Sequence, residues 1–401
     1  MLRRTFKAFH YPDFRLLWFG ACTSSIGTWM QIVAQSWLVL SMSGSAFLLG
    51  LDGFLGQLPI VLFSLIGGVI ADRIDRRHVL LGSQYVQTFC AFLLTVLIAC
   101  KVVRVWEILS LSFVVGCAQS FGGPAYQALV PSLVEKEDLP NAIALNSIQF
   151  NLARVIGPML GGFALTRLGA AWCFGLNGLS FVAVIISLLL LSVKFIPQKT
   201  GESILTAMKQ GLGFIRGQGA MLGLIALAFL MTMLAFPMIL FLPVFAKDVF
   251  HQGPTTFTIL LSCSGAGSVA GALIAASFGN VKNKGRVALL TLLLLGGGLA
   301  GFALSKTMAL SCALLFVSGA ALMGVFSMIS SLVQLITANE MRGRVMSVYN
   351  VAFRGGMPLG SIVTGWLVPI YTAPHVLAVN GVLLLAVGGF FLLVERRVAE
   401  L

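Results

Sequence analysis

The chain has 401 residues, of which 58% are hydrophobic and only 10% charged, with a mean hydropathy of +0.98 and 44 glycines. That composition excludes both an ordinary soluble globular domain and a disordered chain. A formal net charge of +13 would point to nucleic acid in a soluble protein, but in a chain this apolar the placement of the charges matters more than their sum.

Apolar runs recur from Phe14 to Val394, each long enough to cross ~30 Å of hydrocarbon as a helix. Twelve spans are predicted, at 14–40, 46–71, 79–100, 106–130, 141–165, 170–193, 220–246, 254–278, 286–304, 308–337, 344–370 and 374–394. Arg3, Arg4 and Lys7 ahead of the first run imitate a secretory leader. The run is about 27 residues long, holds Gln31 and Gln35, and lacks a small-residue cleavage site, so it reads as a retained first span. With the N-terminus inside, the inner segments carry 19 of the 26 Lys and Arg residues. The outer loops carry five (Lys101, Arg104, Arg167, Lys247, Lys306), and Arg154 and Arg354 lie within spans. This bias places both termini in the cytoplasm. The basic balance is then a matter of topology, and the partner is a lipid bilayer, with no nucleic acid.

Span 1 contributes Gln31 and Gln35 as polar positions, and span 2 contributes Asp52, the most deeply embedded carboxylate, roughly 9 Å below the outer surface. Asp52 can be read as a proton carrier, its proton switched by substrate or state, or as a hydrated acid near the outer rim. Span 2 ends in Gly67-Gly68-Val69-Ile70-Ala71-Asp72-Arg73-Ile74-Asp75-Arg76-Arg77, with five charges in the last six residues. A helix C-terminus presents unpaired carbonyls, which suits Arg73, Arg76 and Arg77 but not Asp72. Asp72 therefore points to a partner outside its own helix. The start of span 11, near Arg342 to Val345, offers free amide N–H groups on the inner face, and an acid there gains about 0.3–1 kcal/mol. The reading is a latch in which Asp72 docks on span 11, Arg344 or Arg76 shares the charge, and Gly67 and Gly68 allow close approach. The plainer alternative is that the cluster only anchors topology.

Span 4 carries Gln119. Span 5 carries Arg154 and Gly157-Pro158-x-x-Gly161-Gly162, and span 11 carries Arg354 and Pro358. An arginine this deep costs about 2.5–3.5 kcal/mol and normally faces a wet cavity. Each arginine is followed four residues later by a proline, which leaves that arginine's own carbonyl without its helical partner. A cavity or gating role and a bracing role on the freed carbonyls are both open. Ser147, Arg154 and Pro158 recur as Ser347, Arg354 and Pro358, and the end of span 8 (Gly271, then Gly279 to Lys282) faintly echoes that of span 2. Residues 194–217 form the one long inner connection, read as an interfacial amphipathic helix or a plain linker. The domains are then a six-helix bundle over 1–193, the linker over 194–217, and a second six-helix bundle over 218–401. Two related halves of this kind suit a rocking transporter.

Seven cysteines occur without CxxC or Cys/His spacing, the four histidines are not spaced for a metal, and neither a Walker sequence nor GxSxG is present. No metal, cofactor or enzymatic activity is expected.

Gly67-Gly68-x-x-x-Asp72-Arg73-x-x-Arg76-Arg77 resembles the signature loop between spans 2 and 3 of the major facilitator superfamily. Gly157-Pro158-x-x-Gly161-Gly162 is similar to the span 5 motif of its proton-coupled drug antiporters. Residues 127–134 and 342–347 resemble the exporter branch, of transmembrane secretion effector type, that includes the enterobactin exporter. The resemblance covers nearly the whole chain. It implies an all-α polytopic membrane protein with twelve transmembrane helices in two pseudo-symmetric bundles, and a span 2–span 11 latch. It also implies that spans 1 and 4 line the cavity, which makes Gln31, Gln35 and Gln119 substrate-side positions. The function so implied is proton-coupled export of a small amphipathic molecule (a drug, metabolite or siderophore) across the inner (plasma) membrane by a monomer. An importer or uniporter of an anionic molecule and a non-transporting receptor or lipid-handling protein remain as alternatives.

Overall fold

The computed structural model describes residues 6–192, 204–277, 283–338 and 340–401; the side chains of Asp72, 204–208, 276 and 277 lie outside that description. Thirteen helices organise the described residues, which contain no strand. They are α1 Pro12–Ser43, α2 Ala46–Arg73, α3 Arg76–Ala99, α4 Val105–Leu129, α5 Leu139–Arg167, α6 Ala170–Leu190, α7 Ile204–Arg216, α8 Gly219–Leu240, α9 Pro254–Ser277, α10 Lys284–Leu304, α11 Met308–Ile336, α12 Arg342–Tyr371 and α13 Ala373–Leu393.

Among the described residues nine helices are both long and apolar enough to span a membrane: α2, α3, α4, α6, α8 with its extension to Val249, α9, α10, α11 and α13. The twelve expected spans include three more, α1, α5 and α12, of 32, 29 and 30 residues. Their length suffices, but they carry the amides and arginines singled out above, which lowers their hydropathy. Large apolar side chains face outward along the spans, as with Phe89 at 65% and Leu273 at 69% exposure. Surface of this kind needs lipid rather than water around it, and the protein is a multi-pass membrane protein.

The chain forms two compact units, the first made of Met1–Met42 and Leu58–Gly201, the second of Ser43–Gln57 and Glu202–Leu401. In the first unit, α3 packs against α4 and α6. The helix α5 lies along α1, where a Cβ on Gly157 or Gly161 would collide with Trp29 or Met30. In the second unit, α10 packs against α11 and α13, and α12 lies along α8. There the glycines on either side of Pro358 make the equivalent approach, Gly356 to Thr232 and Gly360 to Met233. Gly67 abuts the Ser120 carbonyl of α4, and Gly271 abuts the Ala320 carbonyl of α11. Ser147 donates to the Ile143 carbonyl at 3.1 Å, and Ser347 to the Gly343 carbonyl at 2.9 Å. The pairings of the first unit thus recur in the second, seven helices later, down to a local hydrogen bond.

The first part of α2 belongs to the second unit. Gly50 abuts Ser361 and Gly365 of α12, and Gly53 abuts Leu240 of α8. The linker segment contains α7, whose Gly211 lies against the Arg344 carbonyl at the start of α12 and whose Ile215 is buried.

Candidate functional site

The charged end of α2 is built from carbonyls. Asp75 caps α3, accepting from the Arg77 backbone N–H at 2.9 Å, and its carboxylate also lies 3.1 Å from His78 Nδ1. Arg76 donates from Nε to the Ala71 carbonyl at 3.3 Å and from a terminal nitrogen to the Ala128 carbonyl at 2.8 Å. Arg77 donates to the carbonyls of Leu191 at 3.1 Å and Leu189 at 2.7 Å. The two arginines thus satisfy orphan carbonyls at the C-terminal ends of α2, α4 and α6, where helix dipoles favour positive charge. Arg73 is exposed beside them. Losing a charged donor from two carbonyls should cost about 1–3 kcal/mol. Arg77→Gln is therefore expected to lower the thermal midpoint in detergent, while Arg73→Gln stays within about 0.5 kcal/mol of wild type. Equal midpoints for the two variants would contradict this assignment.

Asp72 lies in the last turn of α2, but its side chain is outside the described residues, and so is the latch expected of it. Of the two glycines expected to allow that approach, Gly67 packs on α4, whereas a Cβ on Gly68 would meet open space. At the start of α12, Arg344 donates to Met341 Sδ at 3.5 Å.

The polar residues of α1 join helices of the first unit. Asn177 of α6, 1% exposed, donates to Gln31 Oε1 at 2.6 Å; Gln35 donates to Ser112 Oγ of α4 at 2.9 Å. Gln119 of α4 donates to Gln87 of α3 at 3.4 Å, and Gln87 donates to Ser83 Oγ at 3.0 Å. Gln31, Gln35 and Gln119 are half-buried, and Gln87 is buried. Inside a membrane such bonds hold helices together, so in the described structure these side chains link helices.

Arg154 sits one turn before the Gly157-Pro158 pair, its guanidinium carbon 5.5 Å from the centroid of Trp29. The contact is fixed along the α1–α5 seam. Trp18 donates to the Leu145 carbonyl at 3.0 Å, and Gln149 donates to the Ala21 carbonyl at 3.0 Å and to Ser25 Oγ at 2.5 Å. Gly157 lets α5 approach Trp29 itself, and Gly161 and Gly162 are buried on the same helix. Arg154 is half-buried, and Arg354 is exposed midway along α12, with Pro358 buried one turn on. Asp52 is 6% exposed within α2.

One buried carboxylate escaped the sequence reading. Asp138, whose side chain is 8% exposed, receives Lys7 Nζ at 2.7 Å and the Tyr11 hydroxyl at 2.9 Å, while the Ala8 N–H donates to Asn141 at 2.9 Å. The Lys7 hydrogen bond holds the Asp138 carboxyl below its ordinary range, and Asp138 in turn raises Lys7. The helical turn Lys7–His10 is thereby strapped to the start of α5. Three carboxylates in Glu135-Lys136-Glu137-Asp138 look alike in sequence, and nothing there marks Asp138 as the one to be covered.

This arrangement of helices has relatives. The enterobactin exporter EntS of Shigella boydii serotype 4 (strain Sb227) is 28% identical over 399 residues, covering 96% of this chain and 92% of that one. Macrolide efflux protein A of Streptococcus pyogenes is 24% identical over 387 residues, covering 93% and 94%. The fold is shared with the crystal structure of a bacterial homolog of the human lysosomal transporter Spinster, in an inward-facing, unoccupied conformation. That match has a TM-score of 0.78 at 13% identity and covers 97% of each chain. The family model described as transmembrane secretion effector matches residues 4–400. With paired helix bundles, charged α2–α3 turn and chain-long similarity to transporters in agreement, the protein is a membrane transporter of the transmembrane secretion effector family, within the major facilitator superfamily.

Proposed function

We propose that the protein exports small amphipathic molecules from the cytoplasm across the plasma membrane, as a monomer, in exchange for protons. The observation that carries this reading is the similarity, over more than nine-tenths of the chain, to two proteins that are both exporters. In this reading the apolar runs supply twelve spans, and the bias of Lys and Arg puts both termini in the cytoplasm. The repeat seen in each unit suits alternating access, in which two halves rock about a midplane site. In this reading the substrate is a drug, a metabolite or a siderophore.

Asp52 is the proton carrier of the proposal, because it is a buried carboxylate within a span and such groups mark ion pathways. Everted vesicles test both parts at once. Substrate added to vesicles holding an imposed proton gradient should collapse that gradient with the wild type. Asp52→Asn should leave substrate flux but uncouple it from the gradient. Flux that ignores the gradient in the wild type would overturn antiport, and unchanged coupling in Asp52→Asn would acquit that residue.

The inner latch is the second element of the proposal. Asp72 docks on the start of α12, at the opposite end of α2 from the Gly50–Gly365 approach. Asp72→Asn should insert normally and transport at least about tenfold more slowly, the size of effect a conformational step can impose. Wild-type flux from that variant would remove the latch. Uniport or import of an anion is the second reading, and the exposed Arg354 midway along α12 favours it.

A further inference from the structure

A polar stripe runs along the last part of α11. Ser327, Ser330, Ser331 and Gln334 recur at i, i+3, i+4 and i+7, which places them on one helical face. Polar residues on one face of a membrane-spanning helix turn toward protein or water rather than lipid. Here the stripe lines a groove of about 500 Å³, completed by Phe326 and by Arg342 at the start of α12. That volume falls within the range of sites for drug-sized ligands. Gln334 donates to Ser330 Oγ at 3.4 Å, a long bond. The Phe326 ring is tilted against Phe353 with centroids 4.7 Å apart, and Phe353 in turn stacks 6.2 Å from the buried Tyr349 ring.

The charge along α11 and α12 is mostly positive. Between Met308 and Tyr371 the chain has a single carboxylate, Glu340, against Arg342, Arg344 and Arg354. Arg342 is exposed, and a guanidinium fork matches the oxygens of a carboxylate, sulfonate or phosphate. The hydroxyls and amide beside it complete a polar shell for such a group, and Phe326 offers an aromatic face to a planar apolar body. Beyond Arg344, Arg354 is the next cation along α12 in the direction of the membrane interior, about 18 Å from Arg342 along the axis.

We propose that the α11 groove, closed by Arg342, is a loading site selective for amphipathic anions that carry an aromatic or other planar body. This rests on the reading of the protein as a transporter and names the chemical class it would take. It is read separately from transport. The Ser331→Cys variant, in membranes, is labelled with a maleimide, and the rate above that of the unsubstituted protein reports the new thiol. The probes are the anion 8-anilinonaphthalene-1-sulfonate and the cation rhodamine 6G. The anion should slow labelling at concentrations where the cation does not. Adding Arg342→Gln should raise the half-protecting anion concentration about tenfold, and Arg342→Lys should raise it less, since a single charged donor survives. Ser327→Cys gives the same readout from a second position if the first variant does not accumulate. Equal protection by both probes, no protection by the anion, or protection unaffected by Arg342→Gln would each overturn the proposal. Protection by the anion without flux of any probe would leave the loading site standing and instead remove the transport reading.

Discussion

Gly267→Val should destabilise the second unit by about 3 kcal/mol or more, the upper range of overpacking costs. A Cβ at Gly267 would fall inside the contact distance of the Phe316 carbonyl of α11, and one at Gly319 would meet the Ser264 carbonyl of α9 in the same way. Each glycine faces backbone of the other helix, so neither helix can turn a flexible side chain aside to make room. Small residues let membrane helices approach in this manner, and the packing gained is their main attraction where no hydrophobic drive exists between them. Gly297→Val is the matched control, because a Cβ there meets open space on α10. Thermal unfolding in detergent should separate the two variants by many degrees. Midpoints within about 2 °C of each other would show that α9 and α11 do not depend on this approach, given a few degrees per kcal/mol for a unit of this size.

Arg154→Gln should reduce transport at least about tenfold while leaving the melting midpoint unchanged or slightly raised. Holding a guanidinium within a span costs about 2.5–3.5 kcal/mol, and its contact with Trp29 returns about 0.5–2 kcal/mol. Replacement by a neutral amide therefore gains at least as much as it loses with the ring contact, so a fall in flux cannot be put down to unfolding. Trp29→Leu keeps the charge and removes the ring, and its effect on flux should be smaller. The opposite pattern, with normal flux and a lowered midpoint, would make Arg154 a brace on the Pro158 kink.

Helix number and position were largely legible because hydrophobic runs of membrane length have few alternative explanations. Span 46–71 became α2 Ala46–Arg73, and span 308–337 became α11 Met308–Ile336. The 200-residue recurrence of Ser147, Arg154 and Pro158 was equally legible, and it reappears as matching packing of α5 on α1 and α12 on α8. What a single chain does not carry is the rotation of each helix about its axis. That rotation decides that Gln31 meets Asn177, that Gln35 meets Ser112, and that Gly67 packs on α4 while Gly68 packs on nothing. The serines of α11 were the exception. Their spacing was visible in the sequence, but small hydroxyl residues are common in membrane helices and drew no attention without the groove beside them.

The membership of α2 in both units has a mechanical consequence. The backbone passes between units at 42–43, at 57–58 and at 201–202, and the middle passage lies inside an unbroken helix rather than a loop. Pro59 stands immediately beyond it and leaves the Leu55 carbonyl without its helical donor. A flexure in the engineer's sense is a continuous member thinned at one place, so that it bends there and resists elsewhere. With a proline at the thin place, α2 has that form. Bending of α2 would concentrate at Pro59, where the helix leaves one unit for the other, and stiffness at that residue would resist it.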